Sequence, residues 1–292
     1  HIVFSYANDL WIVPREGGSA LPLASPAGTE TFPRFSPDGK TIAFIGNYEG
    51  NRDIYTMPIA GGVAHRVTYH PGGETLADWT PQNQLLFFTS GMQGLGRQVR
   101  LFTTSPEGGL PAPTPMPYSA FGSVSPDGTW IAYTPHSIDN RTWKRYRGGM
   151  QTDIWLFNLK DNSSKQITTW EGIDSLPMWS SDGKTVYYLS DEGEGHRANI
   201  WSYDVAAGTR TRVTNFTEND VRWPSHGPGQ NNNPKGEIVF QMGTGLHVLD
   251  ASTGTTRKIE VNIPGDRPSV RRRQIDAAKF MGGAGISPTG KR

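Results

Sequence analysis

The sequence predicts an all-β protein, and three features carry that reading: abundant turn formers, aromatic residues gathered in short runs, and an internal repeat. The chain of 292 residues holds 35 Gly and 22 Pro beside 9 Trp, 10 Tyr and 12 Phe. No long stretch keeps helical spacing, so short aromatic strands punctuated by turns are the expected elements. The repeat is explicit. "FSPDGKTIAF" at residues 35–44 returns as "VSPDGTWIAY" at 124–133 and "WSSDGKTVYYL" at 179–189, and "WTPQNQLLFF" at 79–88 keeps the frame with an altered turn. Asp38 and Asp127 lie two repeats apart at about 45 residues each, the period of a four-stranded propeller blade.

Each unit reads in the same order. An inner strand leads into a Ser-Pro-Asp-Gly turn, an apolar strand, an aromatic strand, a hairpin and a short polar outer strand. The aromatic strands are "DLWIVP" from residue 9, "DIYTMP" from 53, "VRLFTT" from 99, "DIWLFN" from 153, "NIWSYD" from 199 and "GLHVLD" from 245, and outer strands such as "AHRVT" and "SKQIT" follow them. The third and sixth units depart most from the pattern. The expected architecture is a six-bladed β-propeller of four-stranded antiparallel blades over residues 1–265. In the first blade, residues 1–6, 9–14 and 20–25 match the second, third and fourth strands, and nothing supplies the inner one. Residues 266–292 read as a linker and an inner strand. That strand either closes the ring, with residues 284–287 beside residues 2–6, or begins a second propeller.

The turn has its own chemistry. Pro37 presets φ, Asp38 bonds its own backbone, and Gly39 accepts the positive φ of a tight reversal. Gly39-Lys40-Thr41 resembles the end of a phosphate-binding loop, but that loop needs a glycine five residues before the Gly-Lys pair and a helix after it. Arg34 and a strand stand there instead.

Composition narrows the function classes. A net charge of +1 with 19% charged residues gives no wide basic footprint for nucleic acid. The lack of cysteine removes disulfides, thiolate metal sites and a cysteine nucleophile together. No apolar run approaches the roughly 18 residues of a membrane span. The 7 histidines form no His-Glu-x-x-His, and there is no Gly-x-Ser-x-Gly elbow, so no catalytic residue, metal ligand or cofactor is assigned. Asp191, Glu192, Glu194 and His196 gather in "SDEGEGHRAN" without the alternating oxygens of a calcium loop or the paired histidines of a zinc site. They read as a solvated hairpin tip.

The Ser-Pro-Asp-Gly-Lys repeat resembles the propeller repeats of TolB, of the prolyl oligopeptidase and dipeptidyl peptidase group, and of tricorn proteases. A second element separates these. "RTWKRYRGGMQTDIW", residues 141–155, interrupts the fourth blade between its second and third strands. Its Trp-Lys-x-Tyr-Arg-Gly-Gly string before Asp-Ile-Trp is similar to the N-terminal propeller of tricorn-type peptidases, as are the opening "HIVFSYANDLWIVPREGG" and the closing "GISPTGKR". The resemblance implies a non-catalytic propeller that gates or docks peptides, with the serine peptidase machinery in domains further along the polypeptide. The implied partners are peptides or unfolded polypeptide, those peptidase domains or other subunits, and a homo-oligomer formed through the full-length protein. It also implies a periplasmic location, with the cytoplasm as the alternative. Archaeal relatives carry adjacent arginines before the third repeat, and "HPGGETLADW" at residues 70–79 has none, so capture of a peptide carboxylate there is not carried over. The alternative function is a free-standing TolB-like scaffold of the cell envelope.

Arg141, Trp143, Lys144, Arg145, Tyr146 and Arg147 are the candidate site residues. Basic and aromatic side chains interleaved in this way suit base stacking with phosphate contact. They equally form the anchors of protein interfaces, where Trp, Tyr and Arg dominate. Near-neutral total charge favours the protein contact, with no nucleic acid and no membrane insertion.

Overall fold

A computed structural model describes the chain apart from residues 25–27, 93–97, 138–145, 147, 229–232, 266–273, 275, 284 and 291–292. Six antiparallel sheets surround an axis. Five are four-stranded, with inner strands Glu30–Phe35, Thr75–Trp79, Ala120–Val124, Asp174–Trp179 and Val221–Gly227, and each runs from axis to rim in chain order. The first is three-stranded, built from Ile2–Tyr6, Asp9–Val13 and Leu21–Ala24. The blades are therefore those the repeat predicts. The insertion also falls where expected, between Trp130–Thr134 and Trp155–Asn158.

The repeated turn is held by its own side chains. Ser36 Oγ donates to Asp38 Oδ1 at 2.6 Å, the Thr41 amide donates to Ser36 Oγ at 3.0 Å, and Gly39 closes the turn at φ +70°. Ser125, Asp127 and Gly128 repeat this at 2.5 Å and +71°, and Ser180, Asp182 and Gly183 at 2.6 Å and +68°. Gly39-Lys40-Thr41 thus delivers the chain into strand Thr41–Gly46, where a phosphate-binding loop opens a helix.

Blades pack face to face through apolar layers. Leu10, Ile42, Phe44 and Met57 join the first blade to the second, and Ala132, Leu156, Trp179, Val186 and Tyr188 join the fourth to the fifth. Each fully buried Leu, Ile, Val, Phe or Met among them contributes about 1.5–3 kcal/mol. Ile2, Val13, Ala20, Val248 and Ile259 form the layer between the first blade and the sixth.

That last junction closes the ring at its rim. Val261–Asn262 pairs in parallel with Gly18–Ser19, the Gly18 amide donates to Glu260 O at 2.8 Å, and the Ala20 amide donates to Asn262 O at 2.8 Å. Arg15 reinforces the join: its Nε donates to Glu237 Oε2 at 2.7 Å, and its carbonyl accepts from Arg257 Nη2 at 2.6 Å. The expectation that the C-terminal segment closes the ring beside Ile2–Tyr6 is not met. Residues 285–290 form no strand, and Ile286 is 90% exposed.

Two glycines separate these effects. An alanine Cβ at Gly17 would sit 2.6 Å from Glu260 O at φ +101°, whereas at Gly39 it would meet nothing within 4 Å at φ +70°. Gly39→Ala is expected to cost the conformational penalty alone, about 1–2 kcal/mol. Gly17→Ala should cost more, because the rim pairing must also part. Denaturant midpoints of the two variants check this, and equal losses would contradict a rim closure.

Candidate functional site

The inner strands meet at the axis through a shared irregularity. In four of them the ladder breaks, between residues 31 and 34, 120 and 123, 175 and 178, and 222 and 225. At these bulges Phe32, Phe121, Leu176 and Trp223 take φ of +55°, +33°, +52° and +50°. Bulky side chains rarely adopt this region, and each instance costs of order 1–3 kcal/mol. Pro33, Pro177 and Pro224 follow three of the four, which suits a bulge because proline has no N–H to lose from a ladder. Gly122 follows the fourth, where a Cβ would meet Leu101 Cδ1 at 2.7 Å. The third blade differs: Leu76 stays paired with Phe87, and the shift leaves only Ala77 unmatched.

These side chains form an apolar waist. Phe32 and Phe121 belong to blades that do not adjoin, yet their rings stand 6.4 Å apart. Phe32 also meets Trp223 edge-on at 5.5 Å, spanning the place where the first blade has no inner strand. Phe88 supports Phe121 from behind at 4.8 Å.

Beside the waist lies a polar level. Arg34, Asp78, Met178, Ser225 and His226, from four blades, line an axial cavity of about 30 Å³. A space of that size holds a water or two and no peptide. Arg34 Nε donates to Ala77 O at 2.9 Å, and Ser123 Oγ donates to Asp78 Oδ2 at 3.1 Å, so neighbouring blades are tied together at the axis. Burial pushes the Asp78 carboxyl up while the Arg34 charge pulls it back. Burial likewise pulls down His226, whose Nε2 lies 2.8 Å from Lys235 O.

Of the six residues singled out from the sequence, only Tyr146 is described, and it is half-buried. Arg141, Trp143, Lys144, Arg145 and Arg147 lie outside the described residues. The acidic hairpin needs correcting. Asp191 is not solvated: it is 2% exposed, and its Oδ1 accepts from Trp170 Nε1 and from the Ile173 amide, both at 2.8 Å. Glu192 pairs with Arg210 at 2.8 Å, and His196 stacks on Trp170 at 5.9 Å. Among the described residues no group of three or more His, Asp or Glu could hold a metal ion, and no helix is long and apolar enough to cross a membrane.

Sequence reasoning missed the axial residues. Their signal is a bulky apolar residue followed by proline or glycine, four positions before the turn serine, as in Phe32-Pro33, Phe121-Gly122 and Leu176-Pro177.

Burial and shifted titration also draw attention to carboxylates at the blade junctions. Glu74, 1% exposed, accepts from Thr68 Oγ1 at 2.9 Å and is pushed up to about 8 by burial, with the Asp53 charge adding to the rise. Asp174 is pushed up to about 7 by burial in the same junction two blades on. Thr68 and Thr168 each accept from an isoleucine amide there, Ile54 at 2.9 Å and Ile154 at 2.8 Å. These acids hold blade to blade and do not line the axis.

Fold and site together define an all-β propeller with an apolar waist and a small polar cavity at its axis. Residues 1–255 match the tricorn protease N-terminal beta propeller domain, and the chain belongs to that family. It is 26% identical over 297 residues to tricorn protease homolog 1 of Streptomyces coelicolor, covering 99% of this chain and 26% of that protein. It is 25% identical over 292 residues to the tricorn protease homolog of Saccharolobus solfataricus, covering 98% of this chain and 26% of that protein. The chain thus spans about a quarter of the length of these relatives. Among solved structures, the tricorn protease superposes with a TM-score of 0.73 at 24% identity, over 88% of this chain and 25% of that one. TolB from Acinetobacter baumannii shares the fold, with a TM-score of 0.66 at 18% identity over 87% of this chain and 61% of that one.

The junction acids set a pH dependence. Glu74 and Asp174 have folded values above their unfolded values of 4.5 and 3.8, so the unfolded state binds fewer protons between. Their contribution is complete below the unfolded values and is lost as pH rises through about 7 for Asp174 and about 8 for Glu74. The contribution of these two acids to stability is therefore expected to fall from pH ~5 to pH ~8. Glu74→Gln with Asp174→Asn should flatten that slope, as read by urea midpoints across the range.

Proposed function

We propose that this domain is a non-catalytic gate and docking module for peptides, working with a tricorn-type serine peptidase carried by the same polypeptide or by its assembly. The observation that supports this reading is the axial passage, where Phe32, Phe121 and Trp223 meet across non-adjacent blades at strained bulges. Parting a few ring contacts converts a cavity of about 30 Å³ into a passage for an extended chain. The polar groups beyond the waist, Arg34, Asp78 and Ser225, offer donors and acceptors to any peptide backbone without demanding a sequence.

The test replaces the rings in the full-length peptidase. Phe32→Ala with Trp223→Ala is expected to raise turnover of long peptides relative to short chromogenic ones by several-fold. An unchanged ratio, with the variant folded by circular dichroism, would contradict gating at this waist.

The inserted segment supplies the docking half of the proposal. Trp143, Arg145 and Tyr146 anchor a neighbouring domain or subunit, and their combined replacement by Ala should weaken full-length assembly by about 2–4 kcal/mol. The isolated propeller should keep its stability. Sedimentation of the full-length variant and thermal melting of the fragment check the two halves. The periplasm is the proposed compartment, with the cytoplasm as the alternative, and fractionation of the native host decides between them.

A further inference from the structure

Two junctions of the ring are built on one pattern and finished differently. Residues 53–90 and 153–190 align without a gap, each position 100 residues from its counterpart. The strand register agrees: Leu86 stands opposite Thr103 as Val186 stands opposite Tyr203. The junction of the second and third blades can therefore be compared with that of the fourth and fifth residue by residue.

Between the fourth blade and the fifth the space is filled from within. Leu156 packs in the layer of Trp179, and Lys165 reaches across from the outer strand of the fourth blade. Its Nζ donates to Tyr203 OH at 2.8 Å and lies 5.5 Å from the centre of that ring. Between the second blade and the third, the counterparts of Leu156, Lys165 and Tyr203 are the shorter Thr56, His65 and Thr103. A cleft of about 290 Å³ opens there, with Asp38, Thr56, His65, Trp79, Pro106 and Glu107 in its lining.

The cleft has the chemistry of a cation site with an apolar floor. Trp79 and Pro106 offer the floor, and carboxylates stand on both walls, Asp38 from the second blade and Glu107 from the third, where the other junction has Ala207. Asp38 Oδ1 accepts from Ser36 Oγ at 2.6 Å and from the Lys40 amide at 3.1 Å, bonds that hold its carboxyl below the ordinary carboxylate range. Both fall on Oδ1, which leaves Oδ2 for an incoming donor. Val63 lines the mouth, and Leu110 stands on the same hairpin as Glu107; they are 92% and 97% exposed. A free amine has no use for these apolar flanks, whereas a polypeptide carrying its amine on a side chain covers them.

We propose that the cleft between the second and third blades binds the side chain of a lysine presented by another polypeptide, which takes the place that Lys165 fills in the fourth and fifth. The four-carbon stem lies along Trp79 and Pro106 and the ammonium meets Asp38 and Glu107. The Ser36 turn and the hairpins at residues 58–65 and 104–112 share one end of their blades, and the inserted segment joins the fourth blade at the opposite end. The proposal thus rests neither on the axial waist nor on the insertion.

The test titrates the chain with the peptide acetyl-Ala-Leu-Lys-Leu-Ala-amide, with its Nε-acetyllysine form and with n-butylamine, read by amide and indole chemical shifts. The lysine peptide is expected to shift Thr56, His65, Asn83 and the Trp79 indole saturably. Acetylation of its lysine should weaken binding by about tenfold or more. Glu107 is exposed, so Glu107→Gln leaves the fold intact, and it should weaken binding by about three- to fivefold. His65→Lys with Thr103→Tyr, which supplies the occupant of the other junction, should abolish binding. Equal affinity for the acetylated peptide, or for the Glu107→Gln chain, would overturn the site. Binding of n-butylamine as tight as that of the peptide would overturn the polypeptide as its occupant.

Discussion

A ring of sheets packed face to face is held as firmly as its weakest junction, and in this chain that junction is bonded at the rim. Elsewhere, consecutive blades share an apolar layer and contacts between complete inner strands. Between the sixth blade and the first, the described residues hold together through the layer of Ile2, Val13, Val248 and Ile259 and the pairing of Gly18–Ser19 with Val261–Asn262. Arg15 and Glu237 lock the same seam. Everything nearer the axis is positioned by this arrangement. At the axis Phe32 reaches both Trp223 and Phe121.

The waist follows from the inner strands' need to converge. Regular pleats would carry every second side chain to the axis at equal depth, and five such strands would collide. Bulges at Phe32, Phe121, Leu176 and Trp223 re-aim one large residue per strand and bend the backbone away. The strain so stored is carried by the packed sheets behind, where Phe88 and Leu101 are buried.

Much of the fold was legible because the repeated turn fixes strand register locally. Ser36, Asp38 and Gly39 announce both the reversal and the frame of the strands around it, and the same holds at Ser125 and Ser180. The rim closure was not legible. Gly17 and Gly18 look like the hairpin glycines of the next blade, Gly61 and Gly62, and share their positive φ, but Gly17 and Gly18 lie against the segment around Glu260. That difference arises from long-range placement of Glu260, which no local pattern encodes. Asp191 misled for the same reason: its burial depends on Trp170, 21 residues away. The axial residues did carry a local signal in their Pro and Gly followers, masked because an apolar residue on a strand reads first as core.

Native-state amide exchange at Gly18 and Ala20 tests the rim closure most directly. If the seam is the interaction on which the ring depends, both amides, which donate at 2.8 Å to Glu260 and Asn262, will exchange only with global unfolding and as slowly as the interior of Thr185–Ser190. Exchange of Gly18 and Ala20 at the rate of the exposed residues 285–290 would show that the rim is open in solution and contradict the account.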